Sequence, residues 1–277
     1  MEKMQRLAVD RAREAMEGWT VGHRLLYYEQ VDSTMTVARG ANLPGGAVVV
    51  AEEQTGGRGR LGRTWDAPSG LGLLCTVVLR DALVPPVPGQ IPMAAGLAVI
   101  DAVSEVTPAL ASRLALKWPN DLLIAGVPHP GKTAGLLVES VYQAGNMTEV
   151  LLGMGINVLQ SGRQLPRLPA ALTPATSLSL AAGVAADRTD LLIALCAALA
   201  RRLAEARARR EALFADWRAR LVTLGQAVTV SQPQQGVIAT GRAVDVQPDG
   251  SLLVEQADGR HITIASGDVT LRTDAVT

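Results

Sequence analysis

Residues 54–65 read QTGGRGRLGRTW, and the way this stretch is taken decides what can be built around it. AVVVAEE stands before it and LGLLCTVVLR after it, two apolar runs rich in β-branched residues and of the length of buried strands. The stretch is therefore expected to be a loop between strands. Within it Gly56, Gly57, Gly59 and Gly62 free the backbone for tight turns and for close approach to a ligand. Arg58, Arg60 and Arg63 set three forked cations close together, where they repel one another unless an anion sits among them. A solvated basic turn would explain exposed arginines alone; an anion-holding loop also explains the glycines.

Two phosphate-binding patterns are matched by letter and fail in context. Gly57, Gly59 and Gly62 have the dinucleotide spacing, but that fingerprint needs its third glycine to open a helix, and Pro68, Gly70 and Gly72 argue against one. Residues 126–133, GVPHPGKT, fit the P-loop pattern. Pro128 and Pro130 remove two of the amides that would cradle a phosphate, and Gly135, Val138 and Val141 favour a strand where the P-loop needs a helix.

Composition narrows the classes. The 277 residues leave room for one large unit and a small one, and 48% of them are hydrophobic, enough for an ample core. Lys+Arg and Asp+Glu both total 26, so no overall field draws the chain to nucleic acid or an acidic membrane, and anion binding has to be local. Cys75 and Cys196 lie in apolar runs, where buried thiols are expected rather than a disulfide, which suits a reducing cytoplasm. The N-terminus is charged throughout and lacks the apolar centre of a signal peptide. The longest apolar run, Leu191 to Ala200, is about half the length of a membrane span. His23, His129 and His261 are scattered and give no structural-metal spacing. The only lysines are Lys3, Lys117 and Lys132; a chain that otherwise uses arginine points to Lys117 and Lys132 as places where a compact ammonium matters.

In chain order, residues 4–17 are expected as a helix and 24–31 as a strand. Asp32, Ser33 and Thr34 offer N-cap chemistry for a helix through Arg39, followed by the strand into Gln54. Beyond the central loop come a strand over 71–80 and a helical segment over 93–106. The segment 113–126 follows, with Lys117 to Asp121 as its polar centre, where Pro119, Asn120 and Asp121 suit a tight turn. Segments 133–142 and 148–158 pattern as an antiparallel strand pair, 159–175 as a surface loop, and 175–183 and 187–220 as helices. From Leu224 the texture changes to short alternating strands joined by turns such as Pro248-Asp249-Gly250, a small all-β unit. The expected units are 1–222 and 223–277.

The segments GGRGRLGRTW, KWPNDLL, GKTAGLLVE and GMGINV, in that order and followed by ATSL and a β-unit, resemble the biotin protein ligases over nearly the whole chain from about Asp32. The resemblance implies an α+β catalytic unit with a mixed sheet, similar to class II aminoacyl-tRNA synthetases and lipoate ligases, and a C-terminal Src-homology-3-like barrel. It implies that biotin and ATP are joined as biotinyl-5′-adenylate and that biotin then passes to a lysine of a biotin carboxyl carrier protein, in the cytoplasm. Ser33, Thr34 and Gln54 fall where the family places contacts to the ureido ring, with Gly57, Arg58, Arg60, Lys132 and Gly135 completing the biotin site. Arg58, Arg60, Arg63, Trp65, Lys117, Asn120, Lys132 and Asn157 would meet ATP or the adenylate. Lys132 and Arg58 would be catalytic, with Asp121 orienting or deprotonating the acceptor lysine. Magnesium is implied by the pyrophosphate leaving group, not by any ligand cluster. Met35 stands where the family often has asparagine, and the prolines with His129 before Lys132 also depart from its pattern. Members that also repress transcription carry an N-terminal helix-turn-helix; few residues precede the first strand here, so a ligase without sequence-specific DNA binding is expected. Homodimerisation through a sheet edge is left open. A lipoate or octanoate transferase and a non-catalytic adenylate-binding module are the alternatives.

Overall fold

The computed structural model describes residues 6–126, 130–143, 146–166 and 173–271. Helix α1 (Val9–Ala15) leads into β1 (Leu25–Val31), α2 (Thr34–Gly40), β2 (Val48–Gln54) and β3 (Gly72–Leu79). Next come α3 (Gln90–Val106), β4 (Leu114–Lys117), β5 (Asp121–Ile124), β6 (Gly131–Gln143) and β7 (Asn146–Asn157). Helices α4 (Leu178–Ala182), α5 (Arg188–Ala208) and α6 (Arg210–Ala219) follow. The chain ends in β8 (Ala227–Gln232), β9 (Gly236–Val246), β10 (Leu252–Glu255), β11 (His261–Ile264) and β12 (Asp268–Leu271). The fold is thus α+β, as the resemblance implies.

The seven strands β1 to β7 form one sheet in the order β1-β2-β3-β7-β6-β5-β4, mixed because β1 and β2 run parallel while the other pairs are antiparallel. The interior strand β3 is buried along its whole length, which is why residues 72–79 are continuously apolar around Thr76. On one face α3 and α5 cover the sheet with a large core that includes Leu97, Ile100, Leu195 and Leu199. On the other face α2 lays Met35 and Ala38 over Val49, Val78 and Leu151, a small second core that leaves the rest of this face open. Met35, where the family often has asparagine, thus serves as an apolar packing residue at 3% exposure. The outer edge of β4 is covered by the chain itself: Leu116 N donates to Arg220 O at 2.8 Å and Val222 N to Leu116 O at 2.9 Å.

Two expectations need correction. The single helix expected over 187–220 is two, because Arg209 leaves helical geometry (φ −140°, ψ 55°) and turns α6 so that Leu213 and Trp217 stay buried. The C-terminal strands form an antiparallel sheet in the order β11-β10-β9-β8-β12, and no pairing between β11 and β12 closes it into a barrel among the described residues. The P-loop reading fails as expected for want of a helix after the motif, since a strand follows, with Lys132 and Thr133 on β6; residues 127–129 of the motif lie outside the described residues. No helix among the described residues is long and apolar enough to cross a membrane.

Candidate active site

The open face of the sheet is where β6 and β7 present glycine. The strands pair with Gly135 opposite Gly155 and Leu137 opposite Gly153, so alternation places 135, 137, 153 and 155 on the face that α2 only partly covers. A side chain at Gly155 would begin 2.5 Å from the Trp65 ring, and one at Gly135 2.9 Å from it. Bare backbone here is what lets the central loop lie down on the sheet.

That loop, anticipated between strands, closes on itself as a small hairpin. Gly59 N donates to Arg63 O at 2.7 Å and Trp65 N to Gly57 O at 2.9 Å. Gly57 is fixed by crowding: a Cβ there would collide with Trp65 O. At the tip Leu61 takes φ +58° beside Gly62 at +76°, a left-handed step that a leucine adopts only under constraint. The Rossmann reading fails as expected, since β3 and not a helix follows.

Beneath the loop lies a cavity with two chambers. The first is lined at its inner end by Ser33, Thr34 and Gln54, neutral donors and acceptors, with Cys75, Gly135 and Gly155 on its floor. Ser33 caps α2, its Oγ accepting from Met35 N at 3.3 Å, so the capping residue also lines the cavity. Gln54 Oε1 accepts from Thr34 N at 2.8 Å and Thr34 Oγ1 at 3.0 Å, which leaves the amide's Nε2 donor uncommitted by that interaction. Thr76, fully buried on β3, hydrogen-bonds Thr34 Oγ1 at 2.8 Å. Sequence reasoning missed Thr76; a lone hydroxyl in an apolar strand was its only signal.

The second chamber is lined by Lys117, Asn157, Pro166 and Thr173. Lys117 is 6% exposed, and burial pushes its ammonium below the ordinary lysine value; Asp121 and Asp268 oppose that shift. Its Nζ donates to Thr173 Oγ1 at 3.4 Å. Buried Asn157 accepts from Gln160 Nε2 at 3.1 Å.

Lys132, Asp121, Arg63 and Trp65 belong to both chambers and form their common wall. Lys132 Nζ sits 2.7 Å from Asp121 Oδ1 and 5.6 Å from the centre of the Trp65 ring. The three loop arginines have separate partners. Arg60 is held inside the cavity, Nη1 donating to Asn120 Oδ1 at 3.2 Å while Asn120 Nδ2 donates to Leu136 O at 2.7 Å. Burial lowers the Arg60 pKa, and the nearby carboxylates of Asp121 and Asp268 oppose that shift. Arg63 pairs with Asp268 of β12, and Arg58 reaches Glu139 Oε1 at 3.4 Å. Asp268 and Glu139 were not foreseen. Trp65 Nε1 is buried with no hydrogen-bond partner among the described residues and lies against the bare backbone of Gly155, 2.5 Å from where a Cβ there would stand.

The geometry can be set beside known proteins. Residues 27–157 match the biotin/lipoate A/B protein ligase family, and residues 223–272 match the biotin protein ligase C-terminal domain. The biotin--[acetyl-CoA-carboxylase] ligase of Mycobacterium tuberculosis is 36% identical over 240 residues, spanning 86% of this chain and 83% of that protein. The chain belongs to the biotin protein ligase family. A second ligase of that name, from Paracoccus denitrificans, is 32% identical across 81% of this chain and 90% of its own length. Among solved structures, the Aquifex aeolicus biotin protein ligase in complex with biotin and ATP superposes with a TM-score of 0.72 at 28% identity, covering 90% of this chain and 98% of that one. In this biotin protein ligase, all but one of the residues to which the resemblance gave a role line one chamber or the other; Gly57 instead shapes the loop.

Proposed function

We propose that this ligase activates biotin with ATP to biotinyl-5′-adenylate and transfers biotin to a lysine of a biotin carboxyl carrier protein. The observation that carries the reading is Lys132 in the wall shared by two chambers, the first ending in the neutral side chains of Ser33, Thr34 and Gln54 and the second holding Lys117 and Asn157. A ureido ring needs donors and acceptors without charge, which Ser33, Thr34 and Gln54 supply, and it is too deep for water to compete there. The biotin carboxylate then points back to Lys132, where the α-phosphate arrives from the side of Lys117 and Asn157. An ammonium and the Arg60 fork between two acids offset their repulsion and stabilise the charge that builds up as carboxylate oxygen bonds to phosphorus. Once the mixed anhydride exists, Asp121 can leave Lys132 to orient the acceptor amine or take its proton.

Magnesium is expected as the counter-ion of the nucleotide. Its ligands would be phosphate oxygens and water. The unit 1–222 would carry this chemistry, with 223–277 contributing Asp268 at the rim.

Pyrophosphate exchange into ATP, run with biotin and with lipoate, tests the assignment. Wild type should exchange with biotin alone, and Lys132→Ala should lose about a hundredfold or more. Exchange driven equally by lipoate, or undiminished in Lys132→Ala, would refute it. Ser33→Ala and Gln54→Ala should raise the KM for biotin; a lipoate enzyme would be indifferent to both.

A further inference from the structure

We propose that Glu139 is a positioning residue that holds the 56–65 loop closed over the site through Arg58, so that Arg58 anchors the loop while Arg60 faces the reacting acids. The proposal rests on the adenylate chemistry just argued. Its geometric basis is the strand period: 135, 137 and 139 share one face of β6, so the carboxylate stands two residues beyond Leu137 and four beyond Gly135, both of which line the cavity. Glu139 Oε1 lies 3.4 Å from Arg58 Nη1, and Oε2 pairs with Arg39 in the last turn of α2. One carboxylate therefore joins the loop, the strand that bears Gly135 and the helix that bears Thr34.

The loop needs such an anchor. Arg58, Arg60 and Arg63 crowd a six-residue span, and each repels the others unless neutralised. Asn120 holds Arg60 but brings no charge, so the carboxylates of Glu139 and Asp268 supply the neutralisation at the two ends. Without Glu139 the β6 side of the loop lifts while the Asp268 side stays. An adenylate held under a lifted loop escapes. In solution an unprotonated amine attacks its acyl carbon, the amide C–N bond forms, the bond to the phosphate oxygen breaks, AMP leaves, and the amine proton passes to water.

The test uses the full chain with biotin, MgATP and poly-L-lysine as bystander, without carrier protein. The pair is partly solvated, Arg58 41% and Glu139 25% exposed, so the effects should be modest. Glu139→Gln should raise bystander biotinylation and the KM for biotin about fivefold while kcat for exchange stays within about twofold. Glu139→Asp should restore part of the loss, and salt should move wild type the same way. Arg58→Gln should leak as Glu139→Gln does, and the double variant should leak no more than either. Leakage and KM at the wild-type level in Glu139→Gln would overturn the proposal. So would additive effects of the two substitutions, or a matched fall in kcat with a lowered melting temperature. If wild type itself shows no biotin-dependent exchange, the functional reading fails instead.

Discussion

Cys75 lines the cavity yet its thiol is chemically quiet. It lies on β3 at 1% exposure, and burial pushes the thiol from the ordinary 9.0 up to about 12. A raised pKa means the folded state keeps a proton that the unfolded chain gives up, so this contribution to stability is full below pH 9 and is lost as pH rises toward about 12. Iodoacetamide at pH 9 should leave Cys75 unlabelled in the folded protein and label it in urea; labelling of the native protein at the rate of a free thiol would contradict this. Glu52 is the opposite case, a carboxylate inside a buried strand. It is 3% exposed and accepts from Arg188 Nη1 at 2.7 Å, from Leu7 N at 2.9 Å and from the Tyr27 hydroxyl at 3.2 Å. Arg188→Met should destabilise the protein by about 3–5 kcal/mol in urea unfolding because it strands that charge, whereas a change under 1 kcal/mol would show the pair to be idle. The run AVVVAEE reads only as a buried strand; that it holds a buried acid, and that the acid's cationic partner lies far along the chain in α5, could not be read from any local pattern.

At the scale of elements, the hairpin of β6 and β7 decides where the site lies. Its glycines make room for the loop, so Gly155→Ala should push Trp65 off the sheet: the added Cβ would stand 2.5 Å from the indole ring. The KM for biotin should rise about tenfold, since displacements near 1 Å are costly at a reacting site. A strand tolerates alanine, so the melting temperature should hardly move. Gly162→Ala, with nothing within 4 Å, is the control; equal effects from both would remove the steric argument. Elements of this kind were largely legible. The alternation of 148–158, the apolar run of 72–79 and the N-cap at Ser33 each encode structure within a few residues. What stayed hidden depends on juxtaposition: Thr76 beneath Thr34, Glu139 beside Arg58 and Asp268 beside Arg63 meet across 42, 81 and 205 positions. The break at Arg209 was hidden for another reason. EARARREA (205–212) offers no glycine, proline or cap, and only the burial of Leu213 and Trp217 after the turn explains it.

At the scale of the whole molecule, the change of texture near residue 222 suggests a separable C-terminal unit, and the packing argues for shared stability. Leu213, Trp217 and Leu221 belong to one buried core with Val228, Val230 and Leu252, and that core runs without interruption to α3 and α5. The link strand covers the β4 edge, Trp118 Nε1 donates to Gly250 O at 2.8 Å, and Trp118 N donates to Thr223 Oγ1 at 2.9 Å. Gly89 is packed so closely under the 249–250 turn that a Cβ there would strike Asp249 O. Pulling the small sheet away would expose two buried tryptophans and break the hydrogen bonds of Trp118 to Thr223 and Gly250, so neither part should lose structure first. Calorimetry should therefore show one unfolding transition with equal calorimetric and van't Hoff enthalpies, and tryptophan fluorescence and far-UV circular dichroism should coincide. Leu221→Ala should shift that single transition downward by about 2–5 kcal/mol equivalent without splitting it. Two resolved transitions in the wild type would mean that the sheets fold independently, and the Arg63–Asp268 pair would then be a contact between moving bodies, not a fixed wall of the site.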